Sequence, residues 1–567
     1  MGRRCGGKTA RVVTVMIAYL ADDPTRAAAA ELFELLKIPA QPFEPSGRYE
    51  CVISNGPAPE QASLARILLF SAEATHFDAD HAVAVEPLAE RTVTAEGGRE
   101  RWNLVTRLSA VEARGEPVLL TGKGRCAGRQ LDMGAERYGF DLFGETAALL
   151  AHGQPEADAL VPALELHLEL LRSRLRRLVP LVEIPPLPWG HDLVVGLSHD
   201  IDSLSVAERC RGERWLSLIR QSTVWPLEAG FGGRSRWTSV LRSWQLAAAS
   251  PLIRLGVVQD PWEGEAAEYC KIERAAGAAS TYFFIPYPGR NGHPARHQGN
   301  HRRRAAMYDL ASRGELLRSL SAAEAEIGVH GIDAWHDVAS ATEERARVTA
   351  ITGNAPDGVR MHYLYWCAGS PHYLDSAGFT YDSSFGYPRA IGMRPGTLQP
   401  YRPLGVHRLL ELPVALEDTG LMSRVGRYCR PADAIQLIDH LLDTAQRFGG
   451  ALVVSWHDQS LVAPRFWREP YLHLVAAARA RGAWTTRLTD IAAWFRLRRA
   501  IRLSATEGMG ALGVEVLVPE PWPAHLPPAR LRIFTGHGAG VGSFHDLALR
   551  PGRNRITLTT PGDGVNG

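Results

Sequence analysis

The chain has 567 residues, with Lys+Arg 63 against Asp+Glu 61, a formal net charge of +2, 45% hydrophobic and 22% charged residues. At roughly 100–200 residues per domain this is a multidomain globular polypeptide, neither a small disulfide-stapled protein nor a fibrous one. The near-neutral balance disfavours nucleic acid or another polyanion as a whole-protein partner. Only Lys8, Lys37, Lys123 and Lys271 are lysines, so Schiff-base and P-loop chemistry have almost no candidates. The seven cysteines are odd in number and never form a C-x-x-C pair. That pattern disfavours a disulfide framework and a zinc–cysteine site, and predicts a reducing, cytoplasmic location rather than export.

In chain order, residues 12–20 read as a first strand. An export signal is the alternative for residues 1–21, where arginines precede an apolar run, but that run is too short to span a bilayer and ends in Asp22-Asp23-Pro24. No other stretch reaches the ~18 apolar residues of a membrane span, so no integral membrane segment is expected. Residues 25–36 read as an Ala/Leu-rich helix and 51–54 as a strand ending at Asn55-Gly56, an α/β pattern assigned to an N-terminal domain over 1–155. Leucines at helical spacing over 160–178, with Arg172, Arg174, Arg176 and Arg177 between them, predict an amphipathic helix with a solvated basic face. The proline-rich stretch 180–189 reads as a stiff linker, completing a connecting region over 156–190.

Between 191 and 498, strand-like runs at 193–197, 280–285, 327–329, 409–414 and 451–456 alternate with helical or irregular segments. Such βα alternation suits a parallel (β/α) barrel, which takes about 250 residues. After 498, runs at 513–518, 530–535 and 555–560 predict a small β-rich module over 499–567. The expected fold class is therefore α/β: a distorted (β/α) barrel flanked by an N-terminal α/β domain and a C-terminal β module.

The richest chemistry lies at the ends of the barrel strands. Val194-Val195-Gly196-Leu197 runs into Ser198-His199-Asp200-Ile201-Asp202, which delivers two carboxylates to the C-terminal mouth of a parallel sheet, where such folds build sites. One can hold a metal while its neighbour serves as a base; an Asp-rich turn capping a helix is the bland alternative. A second strand end carries Glu326-Ile327-Gly328-Val329-His330, followed by Asp333, His336 and Asp337. Histidine and carboxylate are the usual ligands of catalytic zinc or a related divalent ion, although a single histidine is more often a satisfied core or surface residue.

Together these segments resemble the polysaccharide deacetylase family with the NodB-homology domain, a distorted (β/α) barrel that removes N- or O-acetyl groups from sugars with a divalent metal. The likeness runs from Ser198 to His457, roughly half of the chain. It implies that Asp200 is the catalytic base and Asp202 and His330 are metal ligands, with zinc, cobalt, nickel or manganese as the ion. Thr281-Tyr282-Phe283-Phe284 resembles the family's core strand. The family's second histidine falls at Ala334, so His336 is the candidate replacement, with Asp333 and Asp337 as further oxygen ligands or partners. Gly358-Val359-Arg360-Met361-His362 resembles the arginine motif and implies that Arg360 pairs with Asp200. Tyr381-Asp382-Ser383-Ser384 makes Asp382 a candidate to orient a histidine. Val453-Val454-Ser455-Trp456-His457 resembles the final motif, with His457 as general acid.

The implied partner is an acetylated carbohydrate, with Trp262, Tyr363, Tyr365 and Trp366 as candidates to stack on sugar rings. Arg290, Arg296 and the run His301-Arg302-Arg303-Arg304 suggest recognition of an anionic group, against a solvated loop as the alternative. Two other functions stay open: hydrolysis of a different non-peptide C–N bond on the same barrel, and a non-catalytic carbohydrate-binding protein that has lost its metal.

Overall fold

Parallel and antiparallel strand pairs both occur in the computed structural model, which describes residues 17–56, 66–131, 134–179, 181–224, 234–294, 304–508, 511–534 and 544–558. The chain divides into two compact units: Met1–Ala148 with Leu166–Trp189 and Arg496–Gly567, and Leu149–Glu165 with Gly190–Phe495.

The first unit contains a nine-stranded mixed sheet. Ile17–Leu20 pairs in parallel with Ala40–Pro42 and Cys51–Ser54, and Arg26–Leu36 forms the helix after the first strand. Residues 12–16 of the expected strand lie outside the described residues. The helix at Ala163–Leu178 begins three residues later than its apolar spacing predicts. Its basic side chains do not form a free solvated stripe: Arg172 pairs with Glu183 at 2.6 Å, and Arg174 is bound to buried Glu136. The proline-rich stretch is buried from Leu181 to Pro188, and its Val182–Glu183 pairs antiparallel with Arg530–Phe534. In the same unit Arg502–Gly508, Ala511–Val518 and Gly552–Leu558 form an antiparallel sheet, the β-rich character expected of the C-terminal segment.

The second unit is built on a parallel sheet whose strands are β1 (Leu193–Ile201), β2 (Thr281–Phe284), β3 (Glu326–Gly331), β4 (Gly358–Met361), β5 (Tyr381–Asp382), β6 (Leu410–Glu411), β7 (Val414–Glu417), β8 (Leu452–Ser455) and β9 (Ala483–Thr486). Their order is β6-β5-β4-β3-β2-β1-β8-β7, with β9 also paired to β1. All nine residues of β1 are buried, which is why Leu193–Leu197 form a continuous apolar run rather than an alternating one before the polar Ser198-His199-Asp200.

The expected strand at 409–414 is two strands. Pro413 cannot donate to a ladder, and the chain breaks there, with β6 before it and β7 after it. Those two are the terminal strands of the sheet, yet only Leu412 and Pro413 separate them. Three Cα steps span at most about 11 Å, so the two edges are brought together and the sheet is curled into a distorted barrel. The core beneath it is one large cluster that includes Val195, Leu197, Tyr282, Phe284, Val329, Met361, Leu416, Val454 and Trp456.

Candidate active site and metal centre

Side chains alternate across a strand, so Ser198 and Asp200 share one face of β1 while His199 points to the other. His199 is accordingly a structural residue, held by the Trp456 carbonyl at 2.9 Å and by Glu273 at 2.7 Å. On the opposite face, the register pairs β3 with β4 so that His330 lies beside Arg360. It also pairs β8 with β1 so that Ser455 lies beside Ser198. The C-terminal ends of four strands thus converge with their polar residues inward.

Arg360 is wholly buried. It donates to Asp200 Oδ1 at 2.9 Å, to Ser198 Oγ at 2.7 Å, and to the Ser383 carbonyl and hydroxyl at 3.0 and 2.9 Å, with the Phe283 ring 4.6 Å from its guanidinium carbon. Ser455 donates to Asp200 Oδ2 at 3.0 Å. Burial opposes ionisation of Asp200, but Arg360, with His330 and His457, outweighs it and holds the carboxyl down at about 2. The expected Arg360–Asp200 pair is present.

Asp202, His330 and His362 bring one ligand atom each to within 4.8 Å of one another. His330 Nε2 lies 3.4 Å and His362 Nε2 3.3 Å from Asp202 Oδ1. Each ring is anchored from behind: His330 Nδ1 meets the Arg360 carbonyl at 3.0 Å, and His362 Nδ1 meets the Arg304 carbonyl at 2.9 Å. A carbonyl accepts only, so both Nδ1 atoms carry the proton and both Nε2 lone pairs face the carboxylate. Burial lowers the pKa of His362, favouring the neutral ring that a metal needs. Asp202 Oδ1 and His330 Nε2 are buried with no hydrogen-bond partner, an arrangement that is costly unless something binds between them. Two histidines and a carboxylate with inward lone pairs fit a divalent cation with open positions.

His336 is not part of this group. Its side chain is 41% exposed, bonded to Asp337 at 2.9 Å and stacked on His293 at 4.2 Å. The loop after β3 carries it outward, while Asp333 accepts from the His293 backbone and Asp337 caps the next helix through the Ser340 N–H. The second histidine comes instead from the arginine motif. Directly after His362, Tyr363 and Leu364 take φ values of 62° and 53°, left-handed for two non-glycine residues, and this turn follows the ligand immediately.

His457 follows β8, and its Nδ1 is 2.6 Å from Asp418 Oδ1. Asp418 also accepts from the His457 backbone N–H at 2.9 Å, and from Ser460. Burial works against the imidazolium, but Asp418, aided by Asp202, pushes the ring up to about 10. Asp418, not Asp382, is therefore the orienting carboxylate. Asp382 is buried among Ser384, which donates to its Oδ1 at 2.5 Å, and Glu411, and it meets no histidine; burial raises it to about 6. Sequence reasoning stopped at Pro413 and missed Asp418, although Val414-Ala415-Leu416 running into Glu417-Asp418 repeats the apolar-run-to-carboxylate pattern of β1.

Of the four candidate stacking aromatics, Tyr363 alone is open, at 49% exposure, and it stacks on His362. Trp262 is buried with its Nε1 donating to the Ala463 carbonyl, Tyr365 lies beneath Arg304, and Trp366 packs on Phe385. Arg304 is itself buried, donating to the Ile332 and His293 carbonyls; Arg296, His301, Arg302 and Arg303 lie outside the described residues.

No protein-family model matches the chain, and no curated protein matches it. Solved structures similar to it include a chain from Mycobacterium smegmatis assigned as a polysaccharide deacetylase, at 19% identity over 55% of this chain and 93% of that one, with a TM-score of 0.35. The carbohydrate deacetylase Agd3 is 10% identical over 96% of this chain and 99% of its own, with a TM-score of 0.37. A family 4 carbohydrate esterase from Streptomyces lividans, in complex with acetate, is 10% identical over 52% and 92%, with a TM-score of 0.26.

Proposed function

We propose that the protein is a zinc-dependent deacetylase that hydrolyses N-acetyl, or O-acetyl, groups on a saccharide. The observation that carries this reading is the polarised pair flanking the Asp202–His330–His362 group. Asp200 is held ionised by Arg360 and His457 is held protonated by Asp418, so a base and an acid stand ready at the same pH.

Asp202, His330 and His362 would hold a divalent ion, which when bound would supply a water of lowered pKa and polarise the acetyl carbonyl. Asp200, fixed by Arg360 and Ser455, accepts the proton of the attacking water. As the new C–O bond forms and the C–N bond breaks, His457 gives its Nε2 proton to the departing nitrogen, leaving acetate and a free amine. Asp418 keeps the ring oriented and charged until that transfer. The exposed ring of Tyr363 offers a face to a pyranose beside the ligands.

The metal-free binding-protein reading drew its support from Ala334, and that support falls away because His362 supplies a second histidine. The test is release of acetate from N-acetylated chitooligosaccharides by zinc-loaded protein. General acid catalysis is worth about 10²–10⁴-fold, so His457→Ala should keep fold and metal and lose most of the rate. Wild-type turnover in that variant would show the assignment to be wrong.

A further inference from the structure

A cavity of about 120 Å³ opens beside Asp202 and His362, and its far wall carries Arg209, Arg214, Ser217 and Gln221. The last three sit at i, i+3 and i+7 on the helix Gly212–Thr223, so one face of that helix is turned to the cavity. Its Trp215 and Leu216 lie on the exposed side.

Arg209 ends the short helix Val206–Arg209 just after β1. Its Nε donates to Ser203 Oγ at 3.2 Å, and its guanidinium lies 5.6 Å from the Trp262 ring. These contacts hold the fork from one side, and its terminal nitrogens make no hydrogen bond and no ion pair among the described residues. Arg214 is steadied by a 2.7 Å bond to the Ala305 carbonyl. Gln221 donates to Ser217 Oγ at 3.2 Å, which leaves the Ser217 hydroxyl hydrogen without an acceptor among the described residues.

The wall is thus rich in donors, and among the described residues the one carboxylate lining the cavity, Asp202, belongs to the metal group. Asp202 and Asp458 act on Arg209 from beyond ion-pair distance, so its terminal nitrogens lack an acceptor in contact among the described residues; an oxyanion accepts from that planar fork through two oxygens, where a neutral sugar hydroxyl offers one. The geometry points to an oxyanion subsite at Arg209, with Ser217 as a further donor, so that the substrate is an N-acetylated saccharide carrying a carboxylate or phosphate beside the acetyl group scissile at the metal. This rests on the deacetylase reading and names its substrate class. Arg304 is not a donor to that anion, since its terminal nitrogens are spent on backbone carbonyls.

Three matched substrates test it on zinc-loaded protein: neutral tetra-N-acetylchitotetraose, an oligosaccharide alternating glucuronate with N-acetylglucosamine, and an N-acetylglucosamine oligomer bearing a phosphate. The wild type should show a KM about tenfold lower for one anionic substrate than for the neutral one, the size of one charge-assisted hydrogen bond, and the better of the two tells carboxylate from phosphate. Arg209→Gln should collapse that KM ratio toward one, and Arg209→Lys should restore part of it. Should Arg209→Gln fail to fold, raising ionic strength on the wild type should raise the KM for the anionic substrate and not for the neutral one. Equal wild-type KM values, or an Arg209→Gln variant that keeps the ratio, would overturn the subsite. If no saccharide is deacetylated at all, the deacetylase reading fails instead. Calorimetry with free glucuronate and inorganic phosphate then decides the subsite alone: binding lost in Arg209→Gln upholds it, and no binding to the wild type overturns it.

Discussion

Replacing Asp418 with asparagine probes the site at the point where its charge is set. Oδ2 of Asp418 accepts from the His457 backbone N–H and from Ser460, so the asparagine carbonyl oxygen takes that position and its NH2 faces Nδ1. An amide donor opposite Nδ1 forces the proton onto Nε2 and removes the charge that holds the imidazolium. The wild-type ring is pushed from an ordinary 6.5 to about 10. At ~1.36 kcal/mol per pH unit that is about 5 kcal/mol in favour of the protonated form, and Asp418 is its first source after the opposing cost of burial. Nitrogen-detected NMR titration of metal-free protein should therefore show the His457 pKa falling by about three pH units or more in Asp418→Asn, back to its ordinary range or below. With the ring neutral at pH 7.5, kcat of the zinc-loaded variant should fall by about 100-fold or more. Stability gives a second readout. Because the folded-state value is raised, the contribution of His457 is complete below pH 6.5 and is lost as pH rises toward 10, so wild-type stability should decline across that window and the variant's should not. Asp382→Asn is the control and should leave the His457 titration in place. A folded Asp418→Asn protein with an unmoved titration and wild-type kcat would refute the reasoning.

Elemental analysis should find about one zinc per chain in the wild type and in His336→Ala, and none in His330→Ala or His362→Ala. Arg360→Met leaves the Asp200 carboxylate buried without its partner, which should cost about 3–5 kcal/mol in denaturant unfolding. The same variant should move the acidic limb of the rate profile upward, because Asp200 is no longer held at about 2. Glu344 is wholly buried, accepts the Ile332 and Asp333 backbone N–H groups, and is raised by burial to about 7. Its protonated form is favoured in the fold, so it works against stability as pH rises from 4.5 through 7. Glu344→Gln should therefore gain stability over the wild type at pH 8 relative to pH 4.5; equal pH slopes in thermal melts would contradict this.

Much of the site was legible because strands of a parallel barrel end where the chemistry is. Asp200, His330 and His457 each stand just after an apolar run, and a hydrophobic stretch ending in polar residues needs no tertiary information to be seen; Arg360 was read from the likeness of its motif. His362 was in view within the arginine motif yet was not read as a ligand. It is followed by a left-handed turn at Tyr363 and Leu364, which no residue there announces, since neither is glycine, asparagine or aspartate. Asp418 was hidden differently. Residues 409–414 were read as one strand across Pro413, and ending that strand at Val414 concealed the second run that delivers the carboxylate.

The amino-acid sequence by itself therefore determined β1, β2, β3 and β8, their alternation with helices in a parallel α/β unit, and the polar residues they carry to their ends, while β4, β5 and β9 were not read as strands. These are local properties, set by side-chain periodicity and by where apolar runs stop. Only the tertiary structure decided which of those ends meet. Closure of the sheet between β6 and β7, the register that sets His330 beside Arg360, and the turn after His362 join residues up to 255 positions apart, as Ser455 and Asp200 are. That choice follows from how a curled sheet brings its strands together, a property of the packed whole that no single segment contains.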